Sequence, residues 1–203
     1  MKDRLKLTIY LASAIEHNPI VNKGEKEDWK AIVKRELSRP DIGIYDPVDM
    51  EAIKTGKTAD EIRNYVNGLK RSGSWDHFHK VLSKIWWGDV SDATHRVEIM
   101  TLLRSRFLID GNKREDLPYW GDYEAVLRSN FIIAYIEKNV KTVGTICEIH
   151  TCYLFQIPVY LILPDQTKTE ANSTLIDLVI KSGGEIFYSV NDCIKYIKKV
   201  YNL

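Results

Sequence analysis

The sequence lacks an excess of charge of either sign, with 29 lysine and arginine residues against 28 aspartate and glutamate residues among 203. A balanced chain has no net field to attract nucleic acid or an anionic membrane, so neither is expected as a partner. It also lacks any apolar run near the roughly 20 residues that span a bilayer. We therefore expect a cytoplasmic protein with no secretion signal and no membrane anchor.

Cysteine is scarce, and the three cysteines, Cys147, Cys152 and Cys193, show no C-x2-C spacing. A small odd number argues against a disulfide framework, and the spacing matches no metal site. Neither G-x-G-x-x-G nor G-x-x-x-x-G-K-[ST] occurs, so a Rossmann dinucleotide site and a Walker phosphate loop have no support. The sequence predicts no cofactor and no bound metal.

The chain does contain a regular alternation of strand-like and helical segments, which is typical of a doubly wound parallel sheet. The predicted strands are Leu7–Ala12, Ile42–Asp46 with a turn at Pro47, Phe131–Ile136, Val159–Leu163 and Glu185–Tyr188. The predicted helices are Lys26–Leu37, Thr58–Leu69, Thr145–Phe155, Ser173–Lys181 and Asn191–Val200. Thr58–Glu61 fits a capping box, and Gly183 with Gly184 fits a helix C-cap.

The segment from about residue 70 to residue 120 breaks this alternation. It carries four of the five tryptophans and no obvious strand, so we interpret it as a helical insertion in one domain that spans residues 1–203. Its aromatic side chains could form a stacking wall for a nucleobase or the small core of the insertion itself. These residues are Trp75, Trp86, Trp87, Tyr119 and Trp120, of which Trp120 is our predicted substrate contact.

Two carboxylates, Asp122 and Glu148, flank the predicted strand Phe131–Ile136. In a parallel sheet, the helix before a strand and the helix after it both begin at the strand's carboxyl edge, which is where open α/β sheets bind ligands. Each acid alone has a simpler interpretation: Asp122 as a helix N-cap, and Glu148 as the acid of a capping box that begins at Thr145. Two acids at one edge suggest chemistry on a glycosidic bond.

These residues resemble the nucleoside 2-deoxyribosyltransferases and their relatives, the nucleoside 5'-monophosphate N-glycosidases. The resemblance lies in Ile9–Ala14, an Ile-Tyr pair before a loop of small residues, in Asp122 at the start of a helix, and in the Gly-x-x-x-Glu motif Gly144–Glu148. It covers the first strand with its loop and most of residues 121–184, but not the insertion. It implies an α/β fold with a flavodoxin-like, doubly wound, five-stranded parallel sheet.

The resemblance also implies a double displacement that needs no cofactor. Glu148 would attack the anomeric carbon and form a glycosyl-enzyme ester, while Asp122 protonates or holds the departing base. Tyr10 would donate a hydrogen bond to Glu148 and help to keep it ionised. The sugar would then pass to water or to a free nucleobase, so hydrolase and transferase are two outcomes of one hypothesis.

One departure from the family bears on the substrate. The transferases carry an Asp six residues before the nucleophile, whereas this chain has Thr142, with Lys141 beside it. A hydroxyl, a lysine and the free amides of Gly144 and Thr145 at a helix N-terminus would attract a 5'-phosphate. This pattern favours a nucleoside 5'-monophosphate over a nucleoside. A solvated loop with no specific role is the alternative.

Other positions leave further alternatives open. Relatives often have glycine where this chain has Ala12, Ser13 and Ala14. The side chains of these residues narrow the space in which backbone amides could approach a substrate. Ser173 stands where the glycosidases take a phosphate contact from a neighbouring subunit, so the resemblance implies a homo-oligomer with shared active sites; a plain helix cap is the alternative. The competing hypotheses are a non-catalytic nucleotide-binding or sensing domain of the same fold, and a chain whose insertion is a protein-interaction surface.

Overall fold

The structure of the protein, a computed structural model, describes residues 4–13, 28–88, 95–138, 140, 142–164 and 170–203. Its strands are β1 (Leu7–Ala12), β2 (Ile42–Tyr45), β3 (Phe131–Tyr135), β4 (Val159–Ile162) and β5 (Glu185–Phe187). They form one parallel sheet in the order β2-β1-β3-β4-β5. This is the order of a flavodoxin-like doubly wound sheet, which confirms the predicted fold class.

Helices pack on both faces of the sheet. The helices in the described part of the chain are α1 (Trp29–Leu37), α2 (Pro47–Thr55), α3 (Ala59–Arg71), α4 (Trp75–Trp87), α5 (Arg96–Asp110), α6 (Asp122–Leu127), α7 (Val143–Leu154), α8 (Ser173–Lys181) and α9 (Val190–Tyr201), with a 3₁₀-helix at Arg114–Tyr119. The predicted capping box at Thr58 and Glu61 is present and opens α3. Gly183, at a φ of +85°, follows the end of α8 as predicted, because the left-handed region favours glycine.

The two faces of β1 contribute to two core layers, because successive side chains of a strand point in opposite directions. Tyr10 and Ala12 face the layer formed with α6, α7 and α8, whereas Leu7, Ile9 and Leu11 face the layer formed with α1 and α9. All of β1 is buried, as expected for an inner strand covered on both sides. A tyrosine at position 10 is therefore held rigidly by the sheet.

Some helix boundaries differ from the predicted ones. Pro47 opens α2 instead of a turn, because Asp46 caps the helix through Val48 N–H at 3.2 Å and proline needs no N–H at the first helical position. The helix α1 starts at Trp29, with Asp28 as its N-cap; its predicted start at Lys26 lies outside the described residues. The helix α7 starts at Val143, two residues earlier than predicted.

The segment from about residue 70 to residue 120 contains α4, α5 and the 3₁₀-helix, so its described part is helical as predicted. The helix α4 packs against α3 and α6, and α5 packs against α6. An isolated antiparallel bridge joins Lys113 to Arg4. The insertion thus lies beside the helix that begins at Asp122. None of the described helices combines the length and apolar character needed to cross a membrane.

Candidate active site

The candidate site lies at the carboxyl edge of the sheet, where α6 begins before β3 and α7 begins after it. A small open cleft at this edge is lined by Trp86, Asp122, Tyr123, Gly144 and Glu148. Tyr10 contacts Glu148 from the neighbouring strand β1. The three side chains with predicted catalytic roles therefore meet at one place, although they come from three different elements.

A short hydrogen bond joins Tyr10 to Glu148. The Tyr10 hydroxyl donates to Glu148 Oε1 at 2.5 Å, a length typical of a hydroxyl that donates to an ionised carboxylate. The other carboxylate oxygen, Oε2, is buried and has no hydrogen-bond partner among the described residues. One oxygen of Glu148 is thus held in place, and the other is left for a ligand.

Glu148 is not part of a capping box, so that interpretation is wrong. The helix α7 has Thr142 as its N-cap, with no side-chain hydrogen bond from the cap, and Glu148 is the sixth helical residue. An acid must occupy the third helical position to reach back to the cap amide, and Thr145 stands there. Thr145 Oγ1 is itself buried without a partner in the described part of the chain.

Asp122 is not an N-cap either. It is the first residue of α6, and its N-cap is Gly121, which has no side chain to offer. Asp122 is 3% exposed, and its Oδ1 has no hydrogen-bond partner among the described residues. A buried polar atom left unsatisfied costs about 1–3 kcal/mol, so its presence calls for an explanation. A ligand that supplies the missing partner is one.

The surroundings of the two acids raise both pKa values, but through partly different causes. Burial, followed by the charges of Glu148 and Glu51, raises the pKa of Asp122 well above its usual value. Burial raises the pKa of Glu148 to about 7, while the hydrogen bond from Tyr10 and the charge of Lys30 oppose that rise. The negative charge of Glu148 opposes the ionisation of Asp122, whereas the hydrogen bond from Tyr10 favours the ionised form of Glu148, so the site favours a proton on Asp122 and a charge on Glu148. Two acids with separated pKa values are suited to the roles of acid and nucleophile.

The same environment keeps Tyr10 as a hydrogen-bond donor. Burial, and then the charges of Asp122 and Glu148, raise the pKa of Tyr10 well above its usual value. A tyrosine that does not ionise retains its O–H across the whole physiological pH range. Glu148 Oε1 is accordingly stabilised as a carboxylate by a donor that does not titrate with it.

A buried ion-pair network supplies positive charge near the acids. Lys30 Nζ and Lys34 Nζ each contact one carboxylate oxygen of Asp46 at 2.7 Å, and Lys30 and Asp46 are both buried. Burial alone would raise the pKa of Asp46, but the two ammonium groups lower it. The charge of Lys30 also lowers the pKa values of Asp122 and Glu148. The network thus limits the effect of burial on Glu148.

Trp120 belongs to the core, which corrects its predicted role as a substrate contact. Its ring stacks on Tyr45 at 6.2 Å between centroids, and the Arg128 guanidinium lies 4.9 Å from its centroid. Its carbonyl accepts hydrogen bonds from the Tyr45 hydroxyl and from Lys54 Nζ. At 4% exposure, the ring has no free face for a base. Tyr45 in turn stacks on Tyr10 at 5.5 Å.

The residues predicted to bind a phosphate lie at the start of α7. Thr142 is buried, Gly144 is exposed and lines the cleft, and Thr145 carries the unsatisfied hydroxyl described above. The first amides of a helix have no intrahelical partner, and the helix dipole there favours an anion. Lys141, the cation predicted to assist, lies outside the described residues.

The loop predicted to approach the substrate follows β1. Ala12 is fully buried and pairs with Ala134 of β3, so it is part of the sheet rather than of the loop. Ser13 follows it and is partly exposed. Ala14 lies outside the described residues.

Ser173 does not line the cleft. It is the exposed first residue of α8. Asn172 caps this helix through the amides of Thr174 and Leu175, at 2.9 and 3.2 Å. The interpretation of Ser173 as the helix cap is therefore wrong, and its role in a site shared between subunits stays a prediction.

Sequence reasoning missed Tyr123 as a lining residue and did not single out Trp86 from the other aromatic residues. Of the five predicted wall residues, Trp86 lines the cleft, Trp87 and Trp120 are buried, and Trp75 and Tyr119 are highly exposed. Tyr123 directly follows Asp122, but α6 has only six residues, too few for a helical period to show which side chains face the site.

A scan of the chain against models of known protein families gives no match, and a search of curated proteins gives none either. The family resemblance therefore stays a prediction from the sequence motifs.

Proposed function

We propose that this protein is an enzyme that cleaves the N-glycosidic bond of a nucleoside or, preferentially, a nucleoside 5'-monophosphate through a glycosyl-enzyme intermediate. One observation carries the proposal. Asp122 and Glu148 line one cleft, each has a buried carboxyl oxygen without a partner among the described residues, and their surroundings shift their pKa values upward. A fold that needed these acids only for stability would satisfy those oxygens internally.

In the first half-reaction, Glu148 Oε2 attacks the anomeric carbon of the sugar. The C–N bond breaks, its electron pair goes to the base nitrogen, and Asp122 gives its proton to that nitrogen. The sugar is then an ester of Glu148. The hydrogen bond from Tyr10 to Oε1 keeps Oε2 oriented and ionised before attack and stabilises the charge that returns when the ester breaks.

In the second half-reaction, a water molecule or a second nucleobase attacks the ester from the side that the first base has left. Asp122, now ionised, accepts the proton of that nucleophile, as microscopic reversibility requires. Hydrolysis and base exchange therefore share every residue of the site. They differ in whether water reaches the ester before another base does.

The start of α7 supports a phosphate on the substrate. An Asp at position 142 would repel a phosphate, whereas Thr142 does not, and the helix dipole and free amides near Gly144 attract an anion. Thr145 adds a buried hydroxyl whose donor capacity is not used among the described residues. A 5'-phosphate here would orient the sugar toward Glu148, three residues along the same helix from Thr145.

The proposal is tested by incubating the protein with a panel of nucleosides and 5'-monophosphates, with and without a second free base, and following base release and exchange by chromatography. We expect release from at least one substrate and its loss in Glu148→Gln, which keeps the shape of the side chain. The matched control is Glu115→Gln, an exposed glutamate of the insertion, which should leave release unchanged. Absence of release from all substrates, together with nucleotide binding that survives Glu148→Gln, would instead favour a nucleotide-sensing domain.

A further inference from the structure

The helical insertion touches the backbone of the site directly. The end of α4 lies against Gly121, the residue before Asp122. A Cβ at Gly121 would lie 2.5 Å from Gly88 N and 2.7 Å from Trp86 O, distances that real Cβ atoms do not adopt. Close approach of two backbones requires glycine, so Gly121 fixes the end of α4 beside the first residue of α6.

The two tryptophans at this end of α4 have different surroundings. Trp87 is buried; its ring stacks on Tyr123 at 4.7 Å, and the Arg96 guanidinium lies 5.0 Å from its centroid. Trp86 meets Tyr123 edge-on at 6.0 Å and keeps 37% of its surface exposed. Adjacent helical residues point about 100° apart. Trp87 therefore holds the half-buried Tyr123 ring by stacking on it, while Trp86 is left beside the cleft.

Trp86 and Tyr123 line the same cleft as Asp122 and Glu148. We infer that these two side chains form the aromatic wall against which the planar, aromatic leaving group of the substrate stacks, and that Trp86 of the insertion sets the affinity for this group. The inference rests on the proposed function for the identity of the leaving group, a nucleobase. It gives the insertion a role in substrate recognition in addition to its own packing.

The geometry of bond cleavage favours a base at this wall. The base must lie on the side of the anomeric carbon opposite to Glu148 and within reach of the acid that protonates it. Tyr123 follows that acid, Asp122, in the first turn of α6, and Trp86 stands at a right angle to the Tyr123 ring. An aromatic face binds every base through its π-surface, and the exposed indole of Trp86 offers such a face beside Asp122 and Glu148.

The test measures binding of free adenine, hypoxanthine, thymine and cytosine by calorimetry, which does not depend on turnover. Stacking is worth about 1–3 kcal/mol for each base, so Trp86→Ala should weaken the binding of the bases that the wild-type protein binds roughly 5- to 150-fold. Trp86→Phe should retain most of the affinity, because it keeps an aromatic face. The control is Trp75→Ala, at the other end of α4, where the tryptophan is 61% exposed and should not affect binding.

A parallel measurement of base release separates failure of this inference from failure of the proposed function. If the wild-type protein releases base and Trp86→Ala raises KM by a similar factor with little change in kcat, both stand. If Trp86→Ala binds and releases base as the wild-type protein does, the inference of an aromatic wall is wrong, while the proposed glycosidase activity is supported. If no substrate is cleaved but base binding still depends on Trp86, the proposed reaction fails and the wall stands. Failure of the wild-type protein to bind any of the four bases would overturn the wall, and thermal unfolding of each variant shows whether it is folded.

Discussion

Tyr10 and Glu148 are 138 positions apart in the chain, yet the tyrosine hydroxyl and a carboxylate oxygen are 2.5 Å apart in the fold. The parallel pairing of β1 with β3 makes this contact, because it brings the end of β1 next to the helix that follows β3. The contact holds Oε1 of Glu148 and leaves Oε2 without a partner among the described residues.

Tyr10→Phe should shift the acidic limb of the pH–rate profile to higher pH. The Tyr10 hydrogen bond lowers the pKa of Glu148, so its loss raises that pKa above about 7 and reduces the ionised fraction at any pH below it. A hydrogen bond to a charged group contributes about 1.5–3 kcal/mol, which corresponds to a shift of about one pH unit or more. The measurement is kcat/KM for base release between pH 5 and 9.

The control for this variant is Tyr45→Phe. Its hydroxyl is also buried, and it donates to Trp120 O at 2.7 Å instead of to the acid. It should lower stability by a similar amount without moving the acidic limb. An unchanged limb in Tyr10→Phe would show that Glu148 is not the group whose ionisation controls the rate.

Glu148→Gln should stabilise the fold at pH 8 and give little gain at pH 4.5. The pKa of Glu148 is about 7 in the folded protein and about 4.3 in an unfolded chain, so the folded state binds its proton more tightly. The resulting stability is complete below about pH 4 and is lost as the pH rises through 7. A neutral amide avoids this loss, and we expect a gain of about 2–3 kcal/mol at pH 8.

Urea unfolding of Glu148→Gln at pH 4.5 and pH 8 measures this difference, with Glu115→Gln, an exposed glutamate, as the matched change. Equal stability of the variant and the wild-type protein at pH 8 would contradict a desolvated carboxylate at this position. Glu148 would then be a solvated surface acid, which would argue against its proposed role as the nucleophile.

Asp122→Asn should remove the alkaline limb of the pH–rate profile and slow base release about 10²- to 10⁴-fold, the usual contribution of a general acid. Its raised pKa favours the protonated form that a general acid needs, and we expect wild-type activity to fall as the pH rises through that pKa. An N7-methylated purine nucleoside, whose cationic base departs without a proton, should be affected far less. The control is Asp177→Asn, an exposed acid of α8.

The two substrates distinguish the roles open to Asp122. A general acid predicts a large loss for the ordinary nucleoside and a small loss for the methylated one. Equal losses for both would mean that Asp122 binds or orients the substrate without transferring a proton.

Thr142→Asp should weaken the use of 5'-monophosphates by about tenfold or more while leaving nucleosides much less affected. A carboxylate at the start of α7 repels a phosphate, and two like charges in a partly desolvated site interact by about 1 kcal/mol or more. The measurement is the ratio of kcat/KM for a monophosphate to that for its nucleoside. Thr142→Asn is the control, because asparagine has the size of aspartate without its charge. An equal effect of Thr142→Asp on both substrates would show that the phosphate does not bind at this end of the cleft.

Gly121→Ala should destabilise the protein by about 1–3 kcal/mol, the usual cost of an atom forced into a packed region. The atoms that a new Cβ would meet are backbone atoms of residues 86–88, which cannot rotate away as a side chain can. The contrasting change is Gly68→Ala in α3, where a Cβ meets nothing within 4 Å and alanine should stabilise the helix by about 0.5–1 kcal/mol. Thermal or urea unfolding measures both, and a neutral Gly121→Ala would mean that α4 is free to move away from α6.

The alternation of strands and helices was readable from the sequence because each β-rich run is short, apolar and followed by a helical pattern. The capping box at Thr58 was equally local, since all of its parts lie within four residues. The same kind of pattern misled at Thr145 and Glu148, where the residues fit a capping box but the helix begins at Val143. Sequence shows that a cap is possible and does not show where the preceding backbone turns.

The remaining errors have similar physical causes. Asp46 before Pro47 was interpreted as a turn, although an aspartate cap followed by proline at the first helical position is also a helix start. The contact between Gly88 and Gly121 leaves no local signal, because close approach depends on how two distant backbones pack. That packing buries Trp87 and leaves Trp86 exposed beside the cleft. Two adjacent tryptophans in the sequence do not indicate which of them will be buried.

Asp122 and Glu148 are carried by a single continuous unit, α6-β3-α7, to which the adjacent strand β1 adds the Tyr10 hydroxyl. The spacing between the two acids is thus set by the register and length of β3, and changes in other connections leave it untouched. The helical insertion lies before α6 in the chain, so it adds the surface of Trp86 to the cleft without altering this unit. In a site of this kind, residues that line the cleft can change while the spacing of Asp122 and Glu148 is kept.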